Sequence, residues 1–170
     1  MRTRRAGPPR ASAVLAAPPI AYARRVSDAT NVWDEVPDWG GVGARRVVRA
    51  EGGSLGGSIW EIQPGSSQFV YHFHHGSEEL LVVLRGSPTV RMHDGERELA
   101  EGDVVPFPRG PEGGHQIRND AEATVRVLIV STNADPDVAE YPDTGKLAAI
   151  VEGRHRYHRA DDAVEHAGPE

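Results

Sequence analysis

The chain has 170 residues and carries 19 Lys and Arg against 25 Asp and Glu, a net charge of −6 with its eight histidines neutral. One domain with one core fits that length, and the acidic balance argues against a nucleic-acid partner. The absence of cysteine excludes a disulfide framework, a thiolate metal site and a cysteine nucleophile, and no apolar run reaches the length of a membrane span.

Residues 1–30 show neither a helical nor a strand period and are expected to be a disordered extension. Six arginines and no acid fall within residues 1–25, and MRTRR followed by ASAVLAAPPIA loosely mimics an export signal. The apolar part is short and broken by Pro18 and Pro19, so an extension or an unused upstream start is favoured, and a cytoplasmic location is expected. Residues 31–54 hold short apolar pieces, such as Ala44–Val48, between Gly-rich breaks. Neither GGVG nor GGSLGG is followed by Lys-Ser/Thr or opens a helix, so both read as turns rather than phosphate loops.

From Leu55 onward, short apolar or alternating runs recur with turn signals between them. SIWEIQ ends at Pro64-Gly65, QFVYHFH at His75-Gly76, ELLVVL at Arg85-Gly86, and PTVRMH at Asp94-Gly95, a hairpin signal followed by the return strand ERELA. Glu101-Gly102 turns into DVVPF, Gly113-Gly114 leads into HQIRN, and Ala123–Ser131 (ATVRVLIVS) closes the series. Many short strands at this spacing predict an all-β sandwich or barrel. Beyond Thr132 the chain turns acidic and Pro-bearing, LAAIV reads as a strand or a short helix, and the end is polar. These signals place a barrel domain over residues 31–135, with its core at 55–132, and a tail over 136–170 partly packed on the barrel.

YHFHHGSEE, residues 71–79, holds His72, His74, His75, Glu78 and Glu79. Successive strand side chains point to opposite faces, so His72 and His74 share one face about 7 Å apart, a workable bite for one transition metal. His75 points away. Glu78 and Glu79 are adjacent, so only one of them faces inward across the turn. His115 opens another short strand and is available as a third imidazole. Mixed N/O ligation of this kind suits a divalent Fe, Mn, Ni, Co or Zn ion with positions left open. Parity from His72 puts Val70 and Gln68 on the cavity face, with Gln68 a candidate substrate contact. Trp60 and Ile62 are expected to face inward as core or pocket lining, Leu81 and Val83 to give an apolar wall, and Arg109 to meet an anionic substrate beside His115. Arg91 and Arg126 alternate with apolar neighbours and are expected to point to solvent. Lys146 is the only lysine, so no Schiff-base lysine is available in the strand-rich region. A Ser–His–Asp hydrolase is excluded, because there is no nucleophile elbow and the histidines are bunched on one strand.

The same residues resemble the cupins, small double-stranded β-helix, jelly-roll-like barrels. Their first motif is written G-x5-H-x-H-x3–4-E-x6-G, and here Gly65, His72, His74, Glu79 and Gly86 follow it with one extra residue before His72. The second is G-x5-P-x-G-x2-H-x3-N, and here Gly102, Pro108, Gly110, His115 and Asn119 follow it with two extra residues before His115. The resemblance covers roughly residues 55–132, and it extends to single-domain bacterial cupins that share the later YPDTGK segment. It implies His72, His74, Glu79 and His115 as metal ligands, selecting Glu79 over Glu78. It leaves His75 and Glu78 as groups that could orient a ligand imidazole. The implied function is a metal-dependent small-molecule enzyme of dioxygenase, decarboxylase or isomerase type. The alternative is a non-catalytic small-ligand binding or sensing cupin. It also implies a homodimer, with residues 40–54 exchanged or lying across the partner.

Overall fold

The computed structural model describes residues 30–37, 44–49 and 53–162. The N-terminal extension up to residue 29, the GGVG turn and the chain beyond residue 162, including His166, lie outside the described residues. Two antiparallel sheets face each other. One runs in the order β1 (Ala44–Arg49), β2 (Gly56–Ile62), β9 (Val125–Ser131), β4 (Glu79–Arg85) and β7 (Val104–Phe107). The other runs β12 (Arg154–Arg159), β11 (Lys146–Val151), β10 (Asp137–Tyr141), β3 (Ser67–His74), β8 (His115–Arg118), β5 (Thr89–Met92) and β6 (Gly95–Glu98). This is the two-sheet, antiparallel closure expected of a double-stranded β-helix. Among the described residues no helix is long and apolar enough to cross a membrane.

The runs rich in β-branched and aromatic residues became the central strands, because alternation lets one face of each enter the space between the sheets. Trp60, Ile62, Leu81, Val83, Val90, Phe107, Ile117, Val127 and Ile129 belong to one continuous core. Leu81 and Val83 fill that core and do not line the cavity described below. Asn119 is fully buried and ties the sheets together: its amide donates to the carbonyls of Ile62 and Ala123 at 2.8 and 2.9 Å. β1 pairs with β2 in register Ala44 to Glu61.

Of the two arginines expected to face solvent, Arg91 stays on the surface and Arg126 does not. Arg126 is 4 % exposed. Its guanidinium pairs with Glu61 at 2.7 Å and donates to the carbonyl of Asp34. Alternation along β9 predicted a solvated face there, but the 30–37 segment folds over it and supplies the acceptor. Arg91 lies over the Tyr71 ring at 4.2 Å and forks onto Asp143 with N–O distances of 2.5 and 2.9 Å.

The Asp143 carboxylate belongs to the segment expected to be a tail. That segment is a meander of three strands, β10 to β12, which extends the second sheet beyond β3 through the pairs Ala139–His74 and Glu140–Phe73. β3 itself is bulged. Gln68 pairs with Ile117 and His72 with His115, so four steps on β3 oppose two on β8. The excess is even, so Gln68 and His72 stay on one face. Within the bulge Phe69 takes φ +53° and turns its ring inward, 5.1 Å from Trp60 and 5.8 Å from His72. Val70, which simple parity places inside, is 46 % exposed at the rim.

Candidate metal centre

His72 and His74 project from β3, and Glu79 is the first residue of β4. One ligand atom from each lies within 4.8 Å of the others. His115, the first residue of β8, faces His72 across the strand pair. Their ring centroids are 4.8 Å apart, and His115 Nε2 lies 3.3 Å from Glu79 Oε2. The structure thus brings together all four residues implied by the resemblance. Phe107 stacks flat on His115 at 3.8 Å and closes its other face.

Each imidazole is oriented through its Nδ1. His72 Nδ1 donates to the carbonyl of Val70 at 3.0 Å, His74 Nδ1 to Asp137 Oδ2 at 2.7 Å, and His115 Nδ1 to the carbonyl of Gly113 at 2.9 Å. A neutral imidazole that donates from Nδ1 keeps its lone pair on Nε2. Ligand atoms of His72, His74 and Glu79 converge, and His115 Nε2 lies beside the Glu79 carboxylate. The four residues between Gly110 and His115, two more than the second motif has, include the short 3-10 turn Pro111–Gly113, which aims the Gly113 carbonyl at His115. Glycines make that turn possible by close approach: a Cβ on Gly113 would lie 1.7 Å from the Pro108 carbonyl oxygen, and one on Gly114 would lie 2.2 Å from the Tyr71 hydroxyl.

The electrostatics agree with this geometry. Burial, and then the neighbouring His115 and His74, push His72 down to about 4. Burial alone would raise Glu79, but the His115 hydrogen bond and the surrounding imidazoles outweigh it and hold the carboxyl below its ordinary range. Burial opposes a charge on His74, and the Asp137 hydrogen bond together with Glu79 reverses that and raises it. Burial likewise opposes a charge on Asp137, but hydrogen bonds from His74, Ser77 and the Gly76 amide bring it down to about 2.

These ligands line a cavity of about 700 Å3. Tyr141 stacks along His72 at 5.6 Å, and burial, then Tyr157, hold its hydroxyl protonated well above the ordinary range. Gln68 and Trp60 line the cavity as expected from parity, and Lys146, His155 and Tyr157 line it from β11 and β12. Arg109 does not; it pairs with Glu78 at 3.4 Å on the exposed surface. His75 bonds Glu140 at 2.7 Å on the outer face. His75 and Glu78 each engage a partner on the outside, and the side chain that orients a ligand is Asp137. Asp137, Tyr141, Lys146 and His155 carried no assigned role in the sequence. The one available signal was the YPDTGK segment, which contains two of them.

The family model described as a cupin domain matches residues 58–131. A search of curated proteins finds no match. Among solved structures, the chain is similar to a protein of Acidithiobacillus ferrooxidans provisionally named a sugar phosphate isomerase, with 31 % identity, TM-score 0.61, and 67 % of this chain and 72 % of that one covered. It is also similar to a cupin-superfamily sugar phosphate isomerase of Silicibacter pomeroyi, with 26 % identity, TM-score 0.61, and 66 % and 72 % covered. A protein with a double-stranded β-helix domain from Klebsiella pneumoniae shares the fold at 20 % identity and TM-score 0.52, with 61 % and 87 % covered. With both motifs, the strand order and these matches in hand, the chain belongs to the cupin superfamily.

Proposed function

We propose that the protein is a metal-dependent enzyme of isomerase type, acting on a small hydroxy-carbonyl compound. The observation that carries this reading is the convergence of three imidazoles, each pinned through Nδ1, with one depressed carboxylate on the wall of a 700 Å3 cavity. That donor set fits a divalent transition ion such as Fe, Mn, Ni, Co or Zn, held by His72, His74, Glu79 and His115. When bound, such an ion supplies Lewis-acid polarisation of a carbonyl oxygen.

The chain supplies the rest. Asp137 holds the His74 ring. Trp60, Phe69 and Ile129 give the cavity apolar walls. Tyr141 keeps its hydroxyl protonated beside His72, where it can donate a hydrogen bond to an oxygen bound there. Lys146 lines the cavity and offers a cation to an anionic group such as a phosphate. Dioxygenase and decarboxylase chemistries use similar ligand sets on this fold. The names of two similar structures favour isomerase chemistry. A homodimer formed through an edge strand belongs to the same reading.

The test has two steps: elemental analysis of protein purified without added metal, then deuterium incorporation from solvent into aldose and ketose phosphates followed by NMR. Exchange at the carbon beside the carbonyl is expected, and His74→Ala should lose both the metal and the exchange. A fully loaded His74→Ala would sink the ligand assignment. Stoichiometric metal with neither exchange nor turnover would instead leave a non-catalytic small-ligand binding cupin.

A further inference from the structure

Gln68 is 4 % exposed and lines the cavity, yet neither Nε2 nor Oε1 has a hydrogen-bond partner. Among the described residues the only other buried side-chain atom in that condition is Arg126 Nε, whose guanidinium is otherwise paired. A buried carboxamide with both ends unpartnered is rare in a folded protein, because it gives up hydrogen bonds to water and gains none. Its neighbours do not supply them. The Trp60 indole N–H donates to Ser58 Oγ at 2.7 Å, and Ile117, the strand partner of Gln68, is apolar.

The strand registers locate Gln68 relative to the metal centre. His72 faces His115, and Gln68 faces Ile117, two residues further along β8. That places the carboxamide one layer deeper, about 7 Å along the sheet from the ligand pair. The charged side chains of the lining lie at the level of the centre or on its other side. Glu79 is a ligand, and Lys146 pairs with Tyr141, which stacks on His72. Asp137 holds His74, and Asp135 precedes it. Among the described residues of the lining, no Lys or Arg stands at the strand register of Gln68.

We propose that Gln68 is a specificity-determining residue: its carboxamide takes an uncharged hydroxyl or carbonyl group of the substrate, about 7 Å from the oxygens held at the metal centre. This rests on the reading of the cavity as a chelating substrate site and adds the chemistry of the far end. The substrate is a molecule with a chelating hydroxy-carbonyl end and a neutral polar group beyond it. Any phosphate it carries lies toward Lys146, not toward Gln68. The carboxamide both donates and accepts, so a hydroxyl satisfies it from either side.

The experiment uses a matched pair of chelating probes, benzohydroxamic acid and 4-hydroxybenzohydroxamic acid, titrated into cobalt(II)-loaded wild type and Gln68→Met. The two probes differ only in the hydroxyl at the far end. Wild type is expected to bind the hydroxylated probe about tenfold more tightly, and Gln68→Met to lose that preference to within about twofold. Metal-free Gln68→Met is expected to melt above wild type, because an apolar side chain replaces an unpartnered amide. A lower melting temperature would show Gln68 to be a structural residue satisfied by ordered water and would overturn the proposal. So would a probe preference that the substitution leaves unchanged. Binding of neither probe to the loaded wild type would overturn the underlying reading of the cavity itself.

Discussion

Gly113 and Asp137 orient ligand imidazoles from opposite sides of the site, one with a backbone carbonyl and one with a carboxylate. Alanine at Gly113 would place its Cβ 1.7 Å from a backbone oxygen, so the 3-10 turn has to open. The expected penalty is about 1–3 kcal/mol, read as a lower melting temperature, together with weaker metal binding as the His115 acceptor moves. Asp137→Asn keeps the shape and removes the charge. Metal affinity, measured by competition with a chromophoric chelator, is expected to fall by about 10- to 100-fold, while Glu78→Gln should leave it unchanged. Equal affinities for Asp137→Asn and wild type would remove Asp137 from the site. The contrast between these two acids shows what a sequence can carry at this scale. His72 and His74 were legible because an i, i+2 pair on a strand is local. Asp137 was not, because it reaches His74 only through a strand 63 positions away. Arg126 was misread for the same reason: its acceptor at Asp34 is 92 positions off.

The elements from β2 to β9 were legible because each alternates or runs apolar between turn residues, and their inward faces build the core. The three strands after them were harder to read, because much of their inward face is polar. Lys146, Tyr157 and His155 line a cavity instead of entering a core, so β12 reads RHRYHR and is exposed along its whole length. Cavity walls do not need apolar alternation, and the usual strand signal fades where function takes over the face. β10 is tied to β3 by strand pairs and by the Asp137–His74 and His75–Glu140 bonds, whereas β11 and β12 pair only outward from β10. Amides in β11 and β12 are therefore expected to exchange with deuterium well before those of β2, β4 and β9. Metal loading should slow exchange in β10, where Asp137 is coupled to the site through His74. Uniform protection across all twelve strands would mean that the meander is as firmly held as the barrel.

At the scale of the whole molecule, opposed shifts within the histidine cluster give the metal-free protein a stability optimum near neutrality. His72 is driven from 6.5 to about 4, so between those values the unfolded chain binds more protons and stability falls as the pH is lowered. That shift corresponds to a loss on the order of 3 kcal/mol by pH 4. Glu79 adds to it, because its carboxyl is depressed below 4.5 and its contribution is lost on further acidification. His74 acts in the other direction. Its folded value lies above 6.5, so its stabilising contribution is complete below 6.5 and is lost as the pH rises through the folded value. The Asp137 carboxylate that raises it stays ionised down to about 2, so the pair persists on the acid side. Melting temperatures of the protein in a chelator, scanned from pH 4 to 9, are expected to rise steeply up to about pH 6.5 and to decline once the pH passes the raised folded value of His74. A metal ion at Nε2 competes with the proton that His74 would otherwise hold, so added metal should stabilise more as the pH rises and shift the peak upward. A metal-free melting curve that keeps climbing to pH 9 would show that Asp137 does not hold a proton on His74.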